Sequence, residues 1–79
     1  RARTLQPIMS VGKNGITQGT VQLLDRELEQ KQLVKVKLLR AFTQDHNRKE
    51  AAAELARFTK SRVVLAVGNT IVFYRPRRQ

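Results

Sequence analysis

The sequence predicts a small α/β domain in which helices pack on one mixed four-stranded sheet, with the element order βαβαββ. Two segments repeat apolar residues at helical spacing, and four short segments are rich in β-branched and other apolar residues. The chain has 79 residues, a length that allows one domain with a modest core. Because 41% of the residues are hydrophobic, we expect one folded unit over residues 1–79 rather than a disordered basic chain.

The first strand and the first helix are predicted on either side of a glycine-containing turn. Residues 7–11 favour a short strand that is entered through a proline and stopped by a glycine. Residues 12–15, Gly-Lys-Asn-Gly, tolerate positive φ and predict a tight turn. Thr17 is a suitable N-cap for a helix that ends at the polar residues 29–32. The apolar face of this helix contains Val21, Leu24 and Leu28.

The second strand and the second helix follow directly. Residues 33–39 alternate, so that one side of the strand is apolar while Lys35 and Lys37 lie on the other side. Residues 43–47 are polar and predict a loop, and Asn47 is expected to cap the next helix, with a glutamate three residues later. The buried stripe of this helix is predicted to contain Ala51, Leu55 and Phe58.

The last two strands are predicted to form a hairpin. Residues 62–67 and residues 70–74 are apolar and β-rich, and only Gly68-Asn69 separates them. Two residues of these types between two apolar runs indicate a primed hairpin turn. Pro76 cannot continue the hydrogen-bond ladder, so the sheet should end near Arg75.

The composition argues against several classes of chemistry. The chain has no cysteine, which excludes disulfides, thiolate metal sites and thiol catalysis. The single histidine, His46, lies beside Asp45 in a polar segment without a nucleophile or ligand set, and we expect it to be an exposed loop residue. We therefore expect no enzyme activity, no metal and no cofactor. No apolar run is long enough to span a bilayer, and we expect a cytoplasmic monomer without a membrane partner or small-molecule substrate.

The charge favours a polyanionic partner. The formal net charge is +10, and five of the six acidic residues fall in the two predicted helices. The positive charge is therefore concentrated in loops, strands and both ends. A surface that serves only solubility normally mixes both signs of charge, so this uneven distribution indicates a binding surface. Nucleic acid is the first candidate partner.

The Gly12-Lys13-Asn14-Gly15 segment is the most specific candidate site. It lies between a strand and a helix start, where free backbone N–H groups and the helix dipole favour an anion, and a GXXG loop clamps the nucleic-acid backbone in KH domains. An ordinary tight turn that needs glycines only for its geometry is the alternative. The other candidate RNA-binding residues are Lys35, Lys37, Arg62, Arg75, Arg77 and Arg78.

Each of these other residues has an alternative role. The two strand lysines can instead protect an edge strand from aggregation. The terminal arginines can instead form a loose solubilising tail. The four aromatic residues have spacings more typical of a core than of base-stacking platforms, with Tyr74 the best exception.

Three blocks of sequence carry a family resemblance. They are the run from Pro7 to Thr17 around Val11-Gly12-Lys13-Asn14-Gly15, the run Leu33-Val34-Lys35-Val36-Lys37, and the run from Val67-Gly68-Asn69 to Tyr74-Arg75. In this order they resemble the signature of the CRM domain (chloroplast RNA splicing and ribosome maturation), also called the YhbY family. Members usually begin with a basic helix, of which only residues 1–6 would remain here, so this chain is expected to carry a truncated form.

The resemblance implies a fold related to the C-terminal domain of bacterial translation initiation factor three, with a KH-like GXXG loop at Gly12–Gly15. It also implies RNA binding, in precursors of the large ribosomal subunit for stand-alone members and in intron splicing for multi-domain plant members. Our leading hypothesis is a non-enzymatic module that binds structured RNA, in particular ribosomal RNA, during assembly of the large subunit. The alternatives are a protein-docking module within a ribonucleoprotein and a domain of a splicing factor.

Overall fold

A computed structural model describes residues 9–76 of the chain. Their elements are β1 (Met9–Val11), α1 (Gln18–Lys31), β2 (Leu33–Leu38), α2 (Arg40–Thr43), α3 (Arg48–Thr59), β3 (Arg62–Val67) and β4 (Thr70–Tyr74). The four strands form one mixed sheet in the order β1-β2-β4-β3. The predicted α/β class and mixed four-stranded sheet are confirmed. The first part of the predicted strand at residues 7–11, together with Arg77 and Arg78, lies outside the described residues.

The strand order depends on one parallel and two antiparallel pairings. β1 pairs in parallel with β2, with Ser10 opposite Lys37, and β4 pairs antiparallel with both β2 and β3. β2 is thus an interior strand, and the interpretation of Lys35 and Lys37 as protectors of an edge strand is wrong. The register of β3 against β4 shifts between Val63 and Leu65, as in a β-bulge.

The core lies on one face of the sheet, where α1 and α3 cover it. Leu24, Leu28 and Leu55 from the helices are at most 1% exposed. The alternating apolar residues of β2 are buried against them, as the period-2 pattern predicts. The side chains that alternate with these lie on the opposite face of the sheet. Next to the β1–α1 turn, the paired residues on that face are Ser10, Lys37 and Thr70.

Both predicted helix N-caps are confirmed. The Thr17 hydroxyl accepts a hydrogen bond of 3.2 Å from the backbone N–H of Thr20. The Asn47 side chain accepts one of 3.0 Å from the backbone N–H of Glu50. Each bond satisfies a backbone donor that has no partner within its helix. These caps fix where α1 and α3 begin.

Two sequence predictions about the helices need correction. Phe58 was predicted in the buried stripe of α3, but it is 50% exposed. Thr59 is buried in its place, because residues 51, 55 and 59 follow the i, i+4, i+8 row that faces the core, whereas Phe58 lies at the edge of that row. The predicted loop at residues 43–47 holds for residues 44–47, but Thr43 belongs to α2, a single helical turn that was not predicted and whose Phe42 is buried.

Arg75 joins β4 to both long helices. Its guanidinium donates hydrogen bonds to the Asp25 carboxylate at 2.6 Å, to the Glu29 carboxylate at 3.1 Å and to the backbone carbonyl of Thr59 at 2.7 Å. Its backbone N–H also donates to the carbonyl of Gln32. The side chain is only 15% exposed. Arg75 is therefore a structural residue rather than part of a loose tail.

We expect Arg75→Ala to lower the free energy of unfolding by about 1–3 kcal/mol, because it removes charge-assisted hydrogen bonds and leaves a carbonyl acceptor without its partner. Urea unfolding of the purified domain measures this change. Arg75→Lys should restore only part of the stability, since an ammonium cannot reproduce the planar fork.

Lys31→Ala is the matched control. Lys31 forms one i, i+4 ion pair with Glu27 at 3.1 Å, and its side chain is 48% exposed. Its removal should cost no more than about 0.5 kcal/mol. Equal losses for Arg75→Ala and Lys31→Ala would contradict a structural role for Arg75.

Candidate nucleic-acid interface

Residues 12–15, which we call the glycine loop, form a closed turn between β1 and α1. The backbone N–H of Gly15 donates to the carbonyl of Gly12 at 2.9 Å. Lys13 and Asn14, at the two central positions, are both exposed. The turn therefore directs a cation and an amide into solvent at the end of the sheet.

Each glycine of the loop has a structural reason to be glycine. Gly15 has φ +72°, a left-handed conformation that side chains other than Gly and Asn rarely adopt. A Cβ on Gly12 would lie 3.2 Å from Cδ1 of Leu39. Geometry thus accounts for both glycines, while Lys13 and Asn14 are exposed and have no such structural reason.

The N-terminus of α1 adds to the positive potential of the loop. α1 has 14 residues and no acidic residue in its first turn. Thr17 caps only the N–H of Thr20, so other first-turn N–H groups have no partner within the helix. The helix dipole contributes about half a positive charge at this end. An anion beside Lys13 would meet no carboxylate from this turn.

A polar cleft of 270 Å³ opens beside the glycine loop and is lined by the loop itself with Ser10, Val11, Thr17 and Thr20. Lys37 is exposed and is the pairing partner of Ser10 on the same face of the sheet. Arg40, also exposed, follows Leu39, whose N–H bonds to the carbonyl of Val11. We call the group Lys13, Asn14, Lys37 and Arg40 the loop-end surface.

The other sequence-predicted site residues lie elsewhere. Lys35 is half-buried in the middle of β2, where it faces Val72 across the pairing. Arg62 pairs with Tyr74, at the end of the sheet opposite the glycine loop. Four residues of β2 separate the two ends, a distance of about 13 Å at ~3.3 Å per residue. The structure thus places Lys13 and Lys37 at the same end of the sheet, and Arg62 and Arg75 at the other end. Sequence reasoning missed Arg40, whose exposed position beside the loop depends on the short helix α2.

A second pocket, of 270 Å³, is lined in part by Ile16 and Phe42. Its lining includes the carboxylates of Asp45, Glu50 and Glu54. His46 is exposed, as predicted, and its ring stacks on Phe42 at 4.5 Å. The carboxylates repel anions, so this second pocket is unsuited to a phosphate.

Within residues 9–76, the side chains form no group of three or more His, Cys, Asp or Glu that can hold a metal ion. The same residues contain no helix that is long and apolar enough to cross a membrane.

We expect Gly15→Ala to lower the free energy of unfolding by about 1–2 kcal/mol, because an L-residue is strained at positive φ. Gly15→Asn should cost less, since Asn tolerates this conformation. Gly12→Ala should also cost less than Gly15→Ala, because Leu39 is 38% exposed and its terminal methyl can move. Urea unfolding of the variants gives this order.

Gly19→Ala provides the control, because Gly19 is within α1 and a Cβ there meets only Thr17 Oγ1 at 3.6 Å, an ordinary contact. It should stabilise the domain by up to about 1 kcal/mol. A destabilising Gly19→Ala would show that glycine content rather than positive φ explains the losses.

The chain has clear relatives among proteins of known sequence and structure. It is 33% identical to "Probable RNA-binding protein YqeI" of Bacillus subtilis over 79 residues, which are all of this chain and 80% of that protein. It is 35% identical to "Probable RNA-binding protein MJ0652" of Methanocaldococcus jannaschii over 77 residues, 98% of this chain but 57% of that protein.

The fold is also found in a solved structure. The solution structure of the hypothetical protein SAV1595 from Staphylococcus aureus matches with a TM-score of 0.80 and 34% identity, covering 99% of this chain and 79% of that one. The family model described as CRS1 / YhbY (CRM) domain matches residues 1–75, which include the glycine loop, β2 and the β3–β4 hairpin. The chain therefore belongs to the CRS1/YhbY (CRM) domain family.

Proposed function

We propose that this domain binds structured RNA without catalysis, through phosphate contacts centred on the glycine loop. The observation that carries the proposal is the exposure of Lys13 and Asn14 at the acid-free N-terminus of α1. Backbone N–H groups at such a position bind phosphate, and the lysine adds a mobile cation. The names of the relatives YqeI and MJ0652, both called RNA-binding proteins, support RNA as the polyanion.

The loop-end surface suits an RNA backbone better than a single small anion. Its three cations come from the glycine loop, β2 and α2, so they form a surface rather than a closed pocket. The aromatic content of the chain is only 5%, too low for stacking on many bases. Recognition of shape and backbone by cations follows from this composition.

Within this proposal, the RNA is ribosomal and the domain acts as a monomer in the cytoplasm, in assembly of the large ribosomal subunit. This finer assignment rests on the family resemblance. A splicing role is the alternative from the same family. Crosslinking in cells followed by sequencing of the bound RNA tests the assignment: enrichment of large-subunit precursor RNA supports it, and enrichment of introns or messenger RNA contradicts it.

Protein docking is the second candidate function, and the edge strand β3 favours it. Val64 and Val67 on this strand are 45% and 63% exposed. A groove of 410 Å³ between β3 and α3 includes Ala53, Val63 and Ala66 in its lining. Docking through such apolar residues predicts an association that hardly depends on salt, whereas phosphate contacts predict a steep dependence.

We expect the double substitution Lys13→Ala/Asn14→Ala to leave the domain folded but to weaken its affinity for a structured RNA. Both side chains are exposed, so little packing is lost. Losing one lysine–phosphate contact should also reduce the slope of log K against log salt concentration by about 1. Fluorescence anisotropy with a labelled ribosomal RNA hairpin at several salt concentrations gives both quantities.

Gln30→Ala/Lys31→Ala is the matched control, because it removes one amide and one cation from the opposite end of the same helix. This variant should bind RNA nearly as the parent does. If both double variants lose the same affinity, only net charge matters and the glycine-loop site is wrong.

Lys37→Ala and Arg62→Ala, which remove one exposed charge each, locate the interface along the sheet. We expect Lys37→Ala to weaken RNA binding more than Arg62→Ala, because Lys37 pairs with Ser10 beside the glycine loop while Arg62 lies at the other end. The same anisotropy titration compares them. A larger effect from Arg62→Ala would move the centre of the interface away from the loop.

A further inference from the structure

The most unusual aromatic residue of the domain is Phe58. It is 50% exposed at the end of α3, although the pattern of that helix predicts a core position. Phe73 and Phe42, by contrast, are at most 3% exposed. Hydration of an exposed aromatic ring is unfavourable, so covering the ring stabilises it. The residues around Phe58 indicate which kind of ligand can cover it.

Phe58 forms one wall of an apolar groove that lies at the start of α1. The groove has a volume of 350 Å³, and its other walls are Ile16, Thr17, Gln18 and Val21. We call it the Phe58 groove. Its volume is at the low end of the range for ligand pockets, about 300–1,000 Å³, which suits one flat group rather than a helix or a strand.

The Phe58 groove and the proposed phosphate site share one lining residue. Thr17, the N-cap of α1, lines both the groove and the polar cleft of the glycine loop. From Thr17 to Val21 is one turn of α1, about 6 Å at ~1.5 Å per residue. A chemical group attached to a phosphate at the loop can therefore reach the groove.

The carboxylate next to the groove favours a neutral base over a second phosphate. The guanidinium carbon of Arg57 lies over the Phe58 ring, 5.3 Å from its centroid, so a cation covers one face of the ring and a base would stack on the other. Glu54 lies one helical turn before Phe58 on α3 and, with Ile16, lines the neighbouring acidic pocket. A carboxylate at this place repels phosphate but not a neutral nucleobase.

We propose that the Phe58 groove holds one unstacked nucleobase of the RNA strand whose phosphate binds the glycine loop. The base stacks on the ring of Phe58, as single-stranded bases do on exposed aromatic side chains. This inference rests on the proposed function and adds to it a preference for RNA with a single-stranded loop or bulge over a continuous duplex. It also gives the exposed ring of Phe58 a role in binding, whereas the sequence pattern assigned Phe58 to the core.

A double-mutant cycle tests the stacking directly. The protein variant is Phe58→Ala, and the RNA variants are a labelled hairpin with a five-nucleotide loop in which each loop position in turn is made abasic, which keeps every phosphate. We expect Phe58→Ala to weaken binding of the intact hairpin about fivefold or more, on the order of one stacked base. At one loop position the abasic RNA should bind the parent domain equally weakly, and there Phe58→Ala should add nothing further.

Three controls separate this inference from the proposed function. Phe58→Tyr keeps the ring and should retain affinity, whereas Phe58→Leu keeps apolar volume and should lose it. The salt slope should stay unchanged in Phe58→Ala, because no phosphate contact is removed. A blunt duplex with the same number of phosphates should bind Phe58→Ala and the parent equally.

The results have distinct meanings. If Phe58→Ala binds the hairpin as the parent does, or if its loss is the same at every abasic position, the base site is overturned while the glycine-loop proposal stands. If Phe58→Leu binds as tightly as the parent, the groove needs only apolar volume, as an apolar protein side chain would, and base stacking is overturned. If the parent domain binds neither RNA, the proposed function fails as well.

Discussion

The parallel pairing of β1 with β2 is the constraint on which the rest of the structure depends. Parallel neighbours need a connection that returns the chain along the sheet, and α1 is that connection. Its start must therefore lie where β1 ends, which places the glycine loop at one end of the sheet. Its last turns must lie at the other end, where Asp25 and Glu29 meet Arg75. One topological requirement thus separates the exposed cation Lys13 from the paired cation Arg75.

This separation explains how a chain of net charge +10 uses its cations differently. At one end Arg75 is neutralised by carboxylates and its side chain is largely buried, so its charge stabilises packing between β4 and the helices. At the other end Arg48 holds the β3–β4 turn through the carbonyl of Gly68 and the side chain of Asn69. Lys13 and Lys37 remain exposed at the same end of the sheet. Formal charge alone does not distinguish these roles, because they depend on which neighbours the fold supplies.

Local features of the fold could be predicted from the sequence, and long-range ones could not. The alternation in β2 and the caps at Thr17 and Asn47 depend on residues within one or two turns of each other, so pattern and propensity suffice. The partners of Arg75 lie 46 and 50 residues away, and no spacing rule connects them. The interior position of β2 likewise depends on pairing with two distant strands. The glycine loop was identified because its residue types, strand and helix are contiguous, whereas Arg40 and Phe58 join the candidate site only through tertiary geometry.

β1 begins and β4 ends toward the same end of the sheet, which affects how this domain can be joined to others. The chain enters β1 from, and leaves β4 at, the end of the sheet opposite the glycine loop, because β1 runs parallel to β2 and β4 runs antiparallel to it. Polypeptide joined to these ends starts on the side of the sheet away from Lys13. Copies of the fold joined in series can therefore each expose the end that carries the glycine loop. The gain in avidity from such copies then depends on the length and stiffness of the linkers, and it needs no change within the domain.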